Sequence, residues 1–559
     1  MCSSHGDGVF GEPLAPRRRL TAPLLIGALA ALVVLPSACD IINEVPVDYG
    51  PLRTHPGTPI SDPDAREPFE AVSAPDRYTI RLDLSWLPPN GIATEIERYE
   101  ITGSHGDLEI LALEIDEDDS VWLTTSEQKL GVTYTIDFDA DSYRIVETFP
   151  SADRVTLWAA AIGDPDVSQI EVTAERVAVG EHVVVYVEQG MEIGNVEDVI
   201  WFFDNKVFPI ETSLFNAPPD RDGNDRILLL GVDGGATFGG YFSVVNSVTD
   251  EEALAKWERH SNEMEMLYIN VSGGEMDSET IVAHEFAHLL YNESHDPNED
   301  WAYHNEGLAE CAVHAVNGSH PRALKHYQSD PTYTIRDGLS LVKWSYGNYP
   351  QYAQAYVFWS YVASQLGGVE GFGELFRVNG DPEDMEAFFS QELGMDFDDA
   401  QLNALIATWV QAPSGVRGFN SLLKLGDKPQ QATTNALELS PFAGAFLAPE
   451  AATMAYPGDQ GPDVVFAGVD GDGVVDLEAP FDVEGGTLVV LNTSSQLDDP
   501  VSQPTGLLPY DGAFDEPARH VERDPSWLHP PPFDPRHMDR TRAWQKRTGA
   551  LRAAGRTSP

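Results

Sequence analysis

The sequence predicts a multidomain α+β protein, with a mainly helical central domain flanked by β-rich domains. Three observations carry that expectation. The chain has 559 residues, more than a single hydrophobic core accommodates. Apolar and polar residues alternate over 76–177 and again, in shorter runs, over 435–495, the two-residue period of strands with one buried face. Over 277–410 apolar residues instead recur three and four apart, as in "YAQAYVFWSYVASQL" at 352–366, which is the period of packed helices.

Composition narrows the class. Hydrophobic residues make up 42% of the chain and charged residues 22%, ordinary globular material. Against 34 Lys and Arg stand 90 Asp and Glu, a net charge of −56. Such a chain repels nucleic acid and anionic lipid, so neither is an expected partner. Most of these acids read as a solvated, self-repelling surface, and only particular clusters as cation sites. Cys2, Cys39 and Cys311 are too few for a disulfide framework.

The elements follow in order. Arg17, Arg18 and Arg19 precede an apolar run from Leu20 to Leu35, and "LPSAC" follows at 35–39. Positive residues, an apolar run too short to span a bilayer comfortably and small residues before a cleavage point form a signal peptide over 1–39. The "SAC" ending resembles a bacterial lipobox, which implies lipidation of Cys39 and a membrane anchor; an ordinary secretory signal is the competing reading, and both mean export. Residues 40–75, rich in Pro and Asp, read as a flexible tether. A β-rich domain follows over 76–177, with runs such as "VTYTIDFDA" broken by turn-like "PPNG" and "DEDDS". The central domain spans 178–425 and opens with strands "HVVVYVEQG" and "RILLLGVDG" around a helical stretch at 196–208. A small β domain occupies 435–495, and a Pro-rich tail without periodicity runs over 500–559. The tail ends basic, with seven Lys and Arg against Asp539 from Pro535 onward, and reads as solvated and disordered.

The chemistry lies in "TIVAHEFAHLLYNESHDPNEDWAYHNEGLAE" at 280–310. Asp277 or Ser278 can cap a helix whose buried side is Ile281, Val282, Phe286, Leu289 and Leu290. His284 and His288, four residues apart, project from one helix face, so two ring nitrogens can bind one zinc ion. Glu285 lies beside the first histidine, where its carboxylate can take a proton from a metal-bound water that attacks a peptide carbonyl. A catalytic zinc needs a third ligand, and Glu306 of "NEGLAE" lies 18 residues after His288, room for a loop and a second helix. Glu310, one turn beyond Glu306, can hold a ligand histidine through its second ring nitrogen. The competing reading is a solvated acidic helix pair with chance histidines; the amphipathic context and the spaced Glu-x-x-x-Glu disfavour it.

These residues resemble those of gluzincin metallopeptidases. "AHEFAHLL" followed by "NEGLAE" looks most like the hyicolysin-like secreted peptidases, and more distantly the immune-inhibitor-A-like ones. "VGEHVVVYVE", "PPDRDGNDRILLL", "SNEMEMLYIN" and "YAQAYVFWSYVASQLGG" extend the resemblance over about 178–410. It implies a thermolysin-like (zincin) catalytic domain, zinc on His284, His288 and Glu306, Glu285 as general base, and protein or peptide substrates. No "GxMEN" exopeptidase signature is present, which favours an endopeptidase over an aminopeptidase. No motif marks the donor that should stabilise an oxyanion. Tyr346, Tyr349, Tyr352, Tyr356 and His326 are candidates, with Tyr352 and Tyr346 preferred.

Other groups have plainer roles beside the chemical ones. Asp220, Asp222, Asn224 and Asp225 in "DRDGND" suit calcium or an ordinary Asp/Gly turn equally. "VDGDGVVD" at 469–476 reads as a turn. His295, His304 and His314 are expected at the surface or behind the ligands, and Cys311 as a buried thiol. Two alternatives to a peptidase remain open from sequence: a non-catalytic or zymogen-like surface lipoprotein that binds metal or ligand on the same fold, and a structural lipoprotein.

Overall fold

The computed structural model describes residues 58–59, 69–74, 77–83, 95–115, 120–140, 143–161, 169–235, 238–295, 301–328, 335, 338–344, 348–432, 439–455, 463–493 and 507–508. The architecture is multidomain α+β: a β-rich N-terminal region, a helical region on one face of a mixed sheet, and a second small β region.

The N-terminal region is a sandwich. One four-stranded sheet orders Thr58–Pro59, Tyr143–Pro150, Thr133–Ala140 and Tyr99–Gly103; the other orders Phe69–Ala74, Arg77–Asp83, Ser120–Thr125 and Ile110–Ile115. Alternate residues of both sheets meet in one core, with Ile80, Leu82, Val121 and Leu123 facing Ile101, Tyr134, Ile136 and Phe138. Two of these strands lie inside the stretch whose composition reads as a tether. Phe69–Ala74 is too short to show a period of its own, so its order comes from pairing with Arg77–Asp83, which composition does not register.

A seven-stranded sheet forms the floor of the central region. Its order is Leu507–Leu508, Gly240–Phe242, Met266–Asn270, Ile227–Val232, Val183–Glu188, Gln169–Val179 and Arg154–Ala160. The three middle strands run parallel, and Ile227–Val232 is buried at every position, as a strand covered on both faces must be. The boundary read at 177/178 therefore falls inside a strand of this sheet, and Arg154–Ala160 belongs to it as well. Alternation tells which side chains share a face but not which sheet a strand joins, so the period carried no sign of this change of partner.

Helices Ala283–Ser294, Ala302–Asn317, Pro321–Gln328 and Tyr349–Gln365 stack above the sheet. Every residue from Tyr349 to Ser364 is buried, which makes Tyr349–Gln365 the central rod of the helical layer. Gly307 sets its distance from Ala302–Asn317: a Cβ there would stand 2.4 Å from the Trp359 ring and 2.9 Å from Ala355. The last helix, Phe397–Val410, receives the second β region, with Ile406 and Trp409 packed on Phe446, Ala467 and Val489.

The tail, expected without structure, contributes Leu507–Leu508 to the edge of the large sheet. The signal-like stretch, Cys39 and the basic end lie outside the described residues. Among the described residues no helix is long and apolar enough to cross a membrane.

Candidate active site

Asp277 opens the site. Its carboxylate accepts the Thr280 N–H at 2.8 Å and caps a short π turn, Ser278–Val282, that runs into Ala283–Ser294. Ile281, Val282, Phe286, Leu289 and Leu290 anchor that helix in the core. Its opposite face carries His284 and His288 toward Ala302–Asn317, on which Glu306 and Glu310 lie one turn apart.

Three ligand atoms converge. His284 Nε2 lies 3.2 Å from Glu306 Oε2, His288 Nε2 lies 3.3 Å from the same oxygen, and the two nitrogens are 3.0 Å apart. A tetrahedral ion with bonds of about 2.0–2.1 Å holds its ligand atoms about 3.3 Å apart, so this triangle fits zinc without rearrangement. His284 is fully buried, and His288 and Glu306 nearly so. The triad can hold a metal ion such as zinc.

The surroundings orient these atoms. His288 Nδ1 donates to Asn305 Oδ1 at 2.7 Å, which leaves the Nε2 lone pair for the ion. Glu310 Oε1 stands 3.5 Å from His284 Nδ1, an ion-pair distance rather than a hydrogen bond. The other Glu310 oxygen accepts from Tyr349 Oη at 3.3 Å and pairs closely with His320 Nε2. Asn305, His320 and Tyr349 thus support the site. Asn305 carried a sequence signal as the first residue of "NEGLAE", Tyr349 was a candidate for a different role, and His320 carried none.

Electrostatics agree with a cation at the centre. Burial pushes the Glu306 carboxyl up, but the His288 and His284 rings outweigh it and hold the group below its usual range. Burial pulls His288 down, but Glu306 and Glu285 more than reverse it and bring the ring up to about 9. Burial dominates at His284, which is lowered. This balance favours positive charge at the centre of the triad, the place a metal ion would take.

Glu285 is fully buried, and no hydrogen bond of ordinary geometry reaches either carboxylate oxygen. Burial, partly offset by His288, pushes it up to about 8. Gly240, on the antiparallel strand Gly240–Phe242, passes directly over it: a Cβ there would meet Glu285 Cγ at 3.2 Å and Ile281 Cγ2 at 2.5 Å. The base is thus held between its own helix and the outer strands of the sheet.

The remaining candidates separate. The Tyr352 ring stands beside the first ligand, 6.3 Å from the His284 ring between centroids. Tyr346 lies outside the described residues. The Tyr349 hydroxyl is used by Glu310, and that of Tyr356 by His314 Nδ1 at 2.7 Å. The His326 ring packs edge-on against Tyr349. His295, His304 and His314 are not surface groups: all three are buried, and His295 and His304 bond to the Val378 and Leu375 carbonyls. Cys311 is buried against the Tyr356 carbonyl and Ser360. In the acidic loop, Asp220 and Asp222 converge with Glu265, a residue no local spacing suggests. Asn224 and Asp225 are tied to these acids by hydrogen bonds, the Asp225 N–H donating to Asp220 Oδ1 at 2.9 Å. Asn224 bonds to Asp222 and to the Arg226 N–H, and Asp225 pairs with His105 at 3.1 Å, because the loop turns back on itself and docks on the sandwich. Asp470 accepts the Asp472 and Val474 N–H groups, an Asx turn.

No protein-family model and no curated protein sequence matches the chain. Among solved structures it is similar to native yeast LTA4 hydrolase, with a TM-score of 0.28 and 13% identity, over 61% of this chain and 69% of that one.

Proposed function

We propose that the chain is an exported zinc-dependent metallopeptidase of gluzincin type, an endopeptidase acting on extracellular or periplasmic proteins. One observation carries the reading: three ligand atoms from two helices lie 3.0–3.3 Å apart, beside the fully buried Glu285 carboxylate. His284, His288 and Glu306 would hold the ion. Zinc, when bound, supplies a Lewis acid that acidifies water and polarises a carbonyl.

The protein groups do the rest. Glu285 takes a proton from the attacking water and returns it to the leaving amine, a role suited to a carboxyl whose burial raises its proton affinity. Tyr352, beside His284, is assigned as donor to the developing oxyanion. Asn305 fixes the tautomer of His288. Export and anchoring through Cys39 rest on the Arg17–Arg19 cluster, the apolar run and "LPSAC".

The test compares residues 40–559 with their Glu285→Gln form for zinc content and casein cleavage. One zinc per chain in both is expected, with cleavage lowered about 10²–10⁴-fold by the substitution. Absence of zinc from the unsubstituted protein would sink the reading.

A further inference from the structure

We propose that the folded chain docks its own peptide at the substrate strand: the segment carrying Leu507–Leu508 occupies the sheet edge beside Glu285 and holds the enzyme latent. The meaning given to that edge rests on the metallopeptidase reading; the docking itself rests on strand pairing.

Gly240–Phe242 pairs on its inner side with Met266–Asn270. Its outer side pairs antiparallel with the tail segment, Leu508 opposite Gly240 and Leu507 opposite Tyr241. Nothing local imposes this pairing, since the partners are 268 residues apart (508 − 240). Gly240 is also the residue whose backbone comes down on Glu285. A strand added at Gly240 therefore lies one strand spacing, about 4.7–4.9 Å, from a backbone position where an added Cβ would stand 3.2 Å from Glu285 Cγ.

Extended peptides bind proteins by adding a strand to a free sheet edge, with main-chain hydrogen bonds supplying affinity. An edge has one row of unpaired N–H and C=O groups, so two peptides cannot use it together. An extended substrate approaching Glu285 along this strand must displace Leu507–Leu508. The direction fits as well: the segment runs antiparallel to its neighbour, the arrangement with the better-aligned ladder. Edge protection of the sheet is the plainer function of such a pairing, and it makes a different prediction, because it leaves catalysis untouched.

The test uses the full chain and its Leu507→Pro/Leu508→Pro form, which removes both N–H donors from the docked segment. A Leu507→Gly/Leu508→Gly form keeps the donors but weakens the strand, and serves if the first misfolds by circular dichroism. Two quantities are read: kcat/KM on casein, and binding of a fluorescent peptide of residues 503–512 to the same proteins carrying Glu285→Gln. Both should rise about tenfold in the proline form, the factor expected if about nine chains in ten are self-docked. Zinc content should stay the same. Equal cleavage and equal peptide binding by the parent and both folded variants would overturn the proposal and leave the peptidase intact. Stronger peptide binding by the variants with no cleavage by any form would keep the docking and overturn the peptidase.

Discussion

His288 presents Nε2 to Glu306 because Asn305 holds its other nitrogen at 2.7 Å. Removing that acceptor frees the ring to rotate or to take the other tautomer. Asn305→Ala is therefore expected to weaken zinc binding about 10–100-fold, measured by competition with a chelator, with the fold retained. Glu310 works one step further out. Burial would push its carboxyl up, but His320, His284 and Arg322 outweigh burial and hold it at about 2. Its folded-state value lies below the ordinary 4.5, so its contribution to stability is complete above pH 4.5 and is lost as pH falls through about 2. Melting temperatures recorded across that window should fall less steeply for Glu310→Gln than for the parent, and parallel curves would show that Glu310 does not drive the acid limb.

At the scale of elements, the site is a matter of helix spacing. Glu306 reaches the histidines only because Ala302–Asn317 lies close against both Ala283–Ser294 and the buried rod Tyr349–Gln365. Gly307 permits the second approach, since even one methyl group would strike the Trp359 ring at 2.4 Å. Gly307→Ala forces the two helices apart or Trp359 out of its rotamer, at a cost of about 1–3 kcal/mol. Urea unfolding should register that loss, and zinc content should fall with it because the neighbouring Glu306 moves with the backbone. A variant as stable and as zinc-loaded as the parent would show that the helices have slack here. The same close approach recurs at Gly240, where a strand rather than a helix closes over Glu285.

At the scale of the molecule, the sandwich, the helical region and the last β region are joined through shared elements. Arg154–Ala160 and Gln169–Val179 continue the central sheet, and Phe397–Val410 supports the final one. The acidic surface, with a net charge of −56, suits a protein kept apart from nucleic acid and anionic surfaces. The membrane anchor proposed above is therefore a covalent one, through Cys39. Cys39→Ser should move the protein from the membrane fraction to the soluble one in a bacterial host, read by fractionation and by loss of labelling with a radioactive fatty acid. Retention in the membrane fraction would point to another anchor.

The sequence by itself determined the local part of the chemistry. Four-residue spacing on a helix places His284 and His288 on one face, and a composition with a 3.6-residue period announces the helices that carry them. It also announced strands in the N-terminal region, because alternation is a property of a single strand. What only the tertiary structure decided are the pairings between distant segments. Whether Glu306 meets the histidines depends on how two helices pack, and helix packing is set by surfaces that sequence spacing does not describe. The strands Arg154–Ala160 and Gln169–Val179 joined the central sheet, and Glu265, distant in sequence, met Asp220 and Asp222, for the same reason. Leu507–Leu508 is the extreme case. A two-residue strand has no period of its own, and it exists only where the row of N–H and C=O groups on Gly240–Phe242 is there to receive it.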